Sequence, residues 1–301
     1  MNFGRKKRLK KFFNRDLTDE MIWDEIIHEN RLHNIHQLKS ITDEAARVLI
    51  KLERRMELLS LGITSLSAGV AAELAKYQGA ILLLNCVKEL SPEAAKAIAQ
   101  FKGSKLGFKG MKRISVEAMK ELAAYRGILL MDAVAEIDYA EKDKKTLEKA
   151  FRQFKAGKLY LNGLEKTSLP LLKALSLFKG DLELNGIEEL TPSDASVLVS
   201  HKGKELKLRG IKKLSAELAR ILVKYDGTID FSGVRHVEGE VVKVLAVFPG
   251  EPFLLHPKIK KGIDEYRAKL VRAAKRKRER LLKQLEWEEE KRQKEEEKEE
   301  R

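Results

Sequence analysis

Residues 82–103 read LLLNCVKELSPEAAKAIAQFKG, and this stretch decides the fold. Leu82 and Leu84 alternate with other residues, which places both on one face of an extended segment. Ala94, Ile98 and Phe101 then fall on one stripe of a helix. Ser91 stands where an N-cap belongs, Pro92 fits the first helical position because its missing N–H costs nothing there, and Glu93 complements the helix dipole. Gly103 is expected to end the unit in the left-handed conformation common after helices. One strand and one helix therefore occupy a single short phrase.

The phrase repeats along the chain. Its closing glycine recurs at Gly79, Gly103, Gly127, Gly157, Gly180, Gly203, Gly227 and Gly250, at intervals of 24, 24, 30, 23, 23, 24 and 23 residues. The strand pairs are Leu82/Leu84, Leu106/Phe108, Leu129/Met131, Leu159/Leu161, Leu182/Leu184, Leu206/Leu208 and Ile229/Phe231, with Phe253/Leu255 as a last strand. The caps are Thr42, Ser67, Ser91, Ser115, Ser168, Thr191 and Ser215, with Asp138 the expected substitute in the long unit. A unit this short cannot bury both its faces alone, so neighbouring units must stack into a continuous core.

Over about residues 38–256 the chain resembles the leucine-rich repeat family, in short variants written LxLxGIxxLSxEAAxxLAxxxG. The resemblance implies an α/β solenoid with a parallel sheet on one side and one layer of helices on the other. A doubly wound sheet is the alternative, but it places helices on both faces and needs longer crossovers. The family's Asn or Cys, three residues after the second strand leucine, is replaced by Val87, Met111, Val134, Leu164, Ile187, Ile211 and Val234. No asparagine ladder is expected at that place. A small residue precedes each one, and Cys86, the only cysteine, is expected to be buried packing there.

The long unit between Gly127 and Gly157 predicts either a lengthened helix over 138–155 or a short loop near Ala140 to Lys145. Rings recur two residues before the glycine, at Tyr77, Phe101, Tyr125, Phe178, Tyr225 and Phe248, with His201 in one unit. On the inner helix stripe these predict a packed interior column.

Charge lies at the ends. Residues 1–15 carry Arg5, Lys6, Lys7, Arg8, Lys10, Lys11 and Arg15 with no acid, a net +7. Phe3, Leu9, Phe12 and Phe13 are interleaved with them. Such a tract suits an anionic membrane surface or a nucleic-acid backbone, or serves as a solubilising tail. Residues 16–37 read as a helical cap, with Met21, Ile22, Trp23, Ile26 and Ile27 covering the first repeat. Residues 258–301 read as one long charged helix. Arg267 to Lys283 holds nine basic residues against Glu279 alone, and Gln284 to Arg301 is net −4. Its densest cluster, Arg272, Lys275, Arg276, Lys277, Arg278 and Arg280, suits phosphate contact, a solvated face, or pairing with the acidic end of another copy.

Between these flanks, residues 38–257 form the repeat solenoid. If the strand leucines face the helices, the intervening residues line an open concave face. They are Leu83 and Asn85, Gly107 and Lys109, Leu130 and Asp132, Tyr160 and Asn162, Glu183 and Asn185, Lys207 and Arg209, and Asp230 and Ser232. The partner-binding residues expected among them are Lys109, Tyr160, Asn162, Asn185, Lys207 and Arg209. Tyr160 is the anchor, and Lys109, Lys207 and Arg209 steer an acidic partner.

Catalytic chemistry is not spelled out. There is no Ser-His-Asp order, phosphate-cradling glycine loop or paired zinc motif. A metal site at His28, His33 and His36 is outweighed by the cap reading of the same region. The absence of a disulfide framework, of an apolar signal run and of a transmembrane segment predicts a cytoplasmic protein, unless it leaves by a route without a cleavable signal. The expectation is a scaffold without enzyme activity or cofactor that binds a protein on its concave face. A nucleic-acid or ribosome-associated factor acting through the basic flanks is the alternative.

Overall fold

A computed structural model describes residues 39–52, 56–247 and 253–299. The expected basic tail, the cap helix, the three N-terminal histidines, Phe248 and Gly250 lie outside the described residues. The chain runs α1 (Asp43–Leu52), β1 (Leu58–Leu61), α2 (Ala68–Leu74), β2 (Ile81–Leu84), α3 (Pro92–Ile98), β3 (Lys105–Gly107) and β4 (Arg113–Ser115). It continues α4 (Val116–Leu122), β5 (Ile128–Leu130), β6 (Glu136–Asp138), a 3₁₀ turn (Glu141–Asp143), α5 (Lys144–Gln153), β7 (Lys158–Tyr160) and α6 (Leu169–Ser176). Then follow β8 (Asp181–Glu183), α7 (Pro192–Leu198), β9 (Glu205–Lys207), α8 (Ala216–Leu222), β10 (Thr228–Phe231), α9 (Gly239–Val247), β11 (Phe253–Leu255) and α10 (Pro257–Glu299).

Nine strands make one parallel sheet in the order β1-β2-β3-β5-β7-β8-β9-β10-β11, which follows the chain without reversal. The repeated leucines lie side by side: Leu82 is paired with Leu106, Leu106 with Leu129, Leu159 with Leu182, and Leu182 with Leu206. Each is fully buried, and one hydrophobic cluster extends from Ala46 to Ile263. Parallel neighbours need a crossover, and each crossover here is one short helix packed on the helices before and after it. β1 extends the sheet one strand further than the leucine pairs read from the sequence.

The caps act as expected. Ser67, Ser91, Ser115, Ser168, Thr191 and Ser215 each accept a hydrogen bond from the backbone N–H three residues on. Thr42 does the same for Ala45 at 3.2 Å. Asp138 does not cap a helix. It ends β6, which pairs with β4 through Ile114 and Ile137, and its carboxylate is held by Arg113 at 2.7 Å. The long unit thus supplies β6, which completes a two-stranded ladder with β4 of the preceding unit, and a 3₁₀ turn, and α5 begins only at Lys144.

Two further expectations are overturned. Gly103 is not left-handed: a Cβ there would collide with the Phe101 ring, as one at Gly127 would with Tyr125. The glycine is required because the ring folds back over it. Cys86 is exposed, not buried. Its place in the phrase demands small residues because turns stack backbone on backbone; a Cβ at Gly110 would stand 2.6 Å from the Asn85 carbonyl oxygen.

The ring column forms in two runs. Phe101 stacks between Tyr77 and Tyr125 at 6.2 and 6.3 Å, and His201 stacks between Phe178 and Tyr225 at 6.1 Å on both sides. Phe154 joins the second run edge-on to Phe178, at 85°. The hydroxyls of Tyr125 and Tyr225 donate to the carbonyls of Gly103 and Gly203, so each ties its unit to the one before.

The C-terminal helix docks only by its first turns. Ile259 and Ile263 are buried, and the Arg267 guanidinium donates to the Ala246 carbonyl at 3.1 Å. From Lys269 to Arg292 every residue is exposed.

Candidate functional site

The face of the sheet opposite the repeated leucines is built from three rows. The first runs Leu58, Ile81, Lys105, Ile128, Lys158, Asp181 and Glu205, because each strand presents the residue before its first buried leucine. The middle row runs Ser60, Leu83, Gly107, Leu130, Tyr160, Glu183, Lys207, Asp230 and Leu254. The third, just past the strands, holds Asn85, Lys109, Asp132, Asn162, Asn185, Arg209 and Ser232.

The first half of this face is aliphatic. Leu58 is exposed, and Ile81, Leu83, Ile128 and Leu130 are each half-buried. Gly107 lets Leu83 and Leu130 lean together, since a Cβ there would meet Leu83 Cδ2 at 2.7 Å. Lys105 and Lys109 flank the strip, Lys109 exposed and Lys105 half-buried, and neither forms an ion pair with another described residue.

The second half is charged and internally paired. Lys158 Nζ lies 2.9 Å from Glu183 and 2.8 Å from Glu205, and Lys207 Nζ lies 2.7 Å from Glu183 and 3.6 Å from Glu205. Two cations and two anions thus alternate, with Glu183 only 5% exposed. Burial pushes the Glu183 carboxyl up, but hydrogen bonds from Lys207 and Lys158 outweigh it and hold the pKa below the ordinary value. Lys158 shows the mirror image: burial lowers it, yet Glu205 and Glu183 raise it above the usual lysine value. Its ammonium also sits 5.2 Å from the centre of the Tyr160 ring. Asp230 is wholly buried, held by Arg209 Nε at 2.6 Å and by the Ser232 amide at 2.9 Å. Burial raises its pKa and these hydrogen bonds bring it below normal.

The third row contains a ladder not expected from the sequence. Asn162 donates to Asp132 Oδ1 at 2.6 Å and accepts from the Asn185 amide at 3.1 Å. Asn185 in turn accepts from the Arg209 amide at 3.1 Å. It lies one residue after the second strand leucine, not three.

The residues expected to bind a partner therefore have unlike surroundings. Lys109 is exposed, Tyr160 is half-buried beneath Lys158, Asn162 and Asn185 hold the ladder, and Lys207 and Arg209 face carboxylates of their own chain. Sequence reasoning passed over Leu58, Ile81, Lys105 and Ile128. Their signal was available, two residues back in the same alternation.

Of the basic cluster on α10, Arg272, Lys275, Arg276, Lys277 and Arg278 are exposed, and among the described residues only Lys275 forms an ion pair, with Glu279 at 4.0 Å. Arg5, Lys6, Lys7 and Arg8 lie outside the described residues. Among the described residues no three His, Cys, Asp or Glu side chains form a metal-holding group, and no helix is long and apolar enough to cross a membrane. His201 is buried in the ring column with neither ring nitrogen hydrogen-bonded, and burial lowers its pKa.

No protein-family model matches the chain, and no curated protein matches its sequence.

Proposed function

We propose that the chain is a scaffold without enzyme activity: a leucine-rich-repeat-like solenoid whose open sheet face binds a partner protein. The observation that carries this reading is the aliphatic half of that face. Water favours polar side chains on an open sheet surface, yet Leu58, Ile81, Leu83, Ile128 and Leu130 are grouped there on β1, β2 and β5, with only Lys105 and Gly107 of β3 between the last two strands. Apolar contact area on a firm backbone, with Lys105 and Lys109 beside it, suits an apolar segment flanked by acids. Tyr160 borders the strip and supplies the aromatic contact. The exposed thiol of Cys86 accords with a reducing, cytoplasmic setting.

The second reading, contact with nucleic acid or the ribosome, is favoured by one observation: Arg276, Lys277, Arg278 and Arg280 stand exposed on α10 without ion partners among the described residues. Quantitative affinity capture separates the two. The full chain, a Leu83→Ser/Leu130→Ser variant and a variant with those four cations neutralised are compared with and without nuclease, at low and high salt. A protein partner retained at high salt and lost only with the leucine variant is expected. Bound nucleic acid released by salt and lost only with the cation variant overturns the scaffold reading.

A further inference from the structure

The exposed part of α10, residues 269–292, extends about 36 Å at the rise of an α-helix. A lone helix in water gains nothing from apolar side chains, yet Leu281, Leu282 and Leu285 sit together near its middle, each about half exposed. Charge is divided on either side of them. Arg276, Lys277, Arg278 and Arg280 precede, and Glu286, Glu288, Glu289 and Glu290 follow. None of these eight forms an ion pair within the described chain.

The arrangement is a mirror about Lys283. Leu281 and Leu285 are equidistant from it, and so are Arg280 and Glu286, Arg278 and Glu288, Lys277 and Glu289, and Arg276 and Glu290. Two copies of such a helix related by a two-fold axis and running antiparallel set each residue level with its mirror image along the axis, so the basic block of one lies alongside the acidic block of the other. We infer that α10 pairs antiparallel with α10 of a second copy of this chain, Leu281 and Leu285 forming the centre, Arg278 of each copy meeting Glu288 of the other, and the remaining charges of each basic block lying alongside the acidic block of the other copy. Ala274, Arg278, Leu281, Leu285, Glu288 and Arg292 recur at alternate spacings of four and three, so they share one seam. The apolar part of the seam is short and most of the charges lie outside it; the pairing is therefore reversible and salt-sensitive. A nucleic acid accounts for the basic block alone, because phosphates are repelled by the four glutamates. The inference is independent of the sheet-face reading.

Sedimentation velocity of nuclease-treated full chain tests it. A dimer at low salt that dissociates as salt rises is expected. One variant carries Glu286→Lys, Glu288→Lys, Glu289→Lys and Glu290→Lys; a second carries Arg276→Glu, Lys277→Glu, Arg278→Glu and Arg280→Glu. All eight substitutions keep good helix formers. Each variant alone is expected to lose the dimer, and an equimolar mixture to regain it as a one-to-one species. A monomeric wild type at low salt, a dimer untouched by either variant, or variants that fail to combine each overturns the inference. Association abolished by the nuclease does so as well, and assigns the basic block to nucleic acid.

Discussion

The two halves of the open sheet face share one backbone and one buried leucine column, yet they meet water differently. Strands β2 and β5 present isoleucine and leucine on either side of Lys105 and Gly107 of β3, whereas β7, β8 and β9 present lysines and glutamates that neutralise one another. The fold tolerates either, because stacking is set by the opposite face. What differs is availability: the charged half is occupied by its own ion pairs, whereas the aliphatic half carries half-buried and exposed side chains without such a network.

Substitutions that convert one half toward the other test this contrast. Glu183→Leu should be the most damaging, since it leaves Lys158 and Lys207 poorly compensated in a half-buried site, and should cost about 3 kcal/mol in a denaturant titration. Replacing Lys158, Glu183 and Lys207 together by leucine should bring stability back to within about 1 kcal/mol of wild type, because an ion cluster and an apolar cluster are near equivalents. The Glu183 carboxyl has a lowered folded pKa, so its stabilisation is present above the unfolded value and is lost as pH falls through the folded one. The gap between wild type and Glu183→Leu should narrow in that acid range.

Asn162→Ala should cost about 2 kcal/mol, since it strands the Asn185 amide and the Asp132 carboxylate. Asn85→Ala in the first half should cost less than about 0.5 kcal/mol, its one side-chain bond being a 3.4 Å contact with Ser60. Comparable losses at both sites would erase the distinction between the halves.

His201→Tyr should stabilise the charged half by about 1 kcal/mol, by adding a hydroxyl aimed at the Gly180 carbonyl as in the sibling units. Wild-type stability should also fall as pH drops below about 6.5, because the unfolded histidine takes up a proton that the buried one resists. Thermal melts across that range should show a flatter profile for the variant. The smallest change in stability, about 0.5 kcal/mol or less, is expected for Leu83→Ser/Leu130→Ser, whose effect should appear in partner capture instead.

The order of strands, the caps and the ring column were legible in the sequence because each depends on spacing inside one unit. Ser91 caps α3 whatever lies beside it. Relations between units were not legible in the same way. Lys158 meets Glu205 across two strand spacings, and Asn162 meets the Asn185 amide only because registers align. Asp138 fits a cap by position, but Arg113 in the preceding unit takes its carboxylate. The recurrent glycine was found correctly and explained wrongly, since its reason is a ring folded back over it and not the handedness of its backbone.

The break in the ring column falls where the two halves meet. Phe154 is turned edge-on to Phe178, and a Cβ at Gly157 would enter open space, unlike those at Gly103, Gly127, Gly180 and Gly203. Strand pairing between β5 and β7 is intact there, and the Lys155 and Gly157 amides donate to the Ala123 and Gly127 carbonyls, so backbone bonds hold a joint where the ring column is interrupted. The seam between the aliphatic and the charged half thus rests on main-chain bonds, which do not depend on side-chain identity, and the insertion that separates Gly127 from Gly157 is accommodated without breaking the sheet.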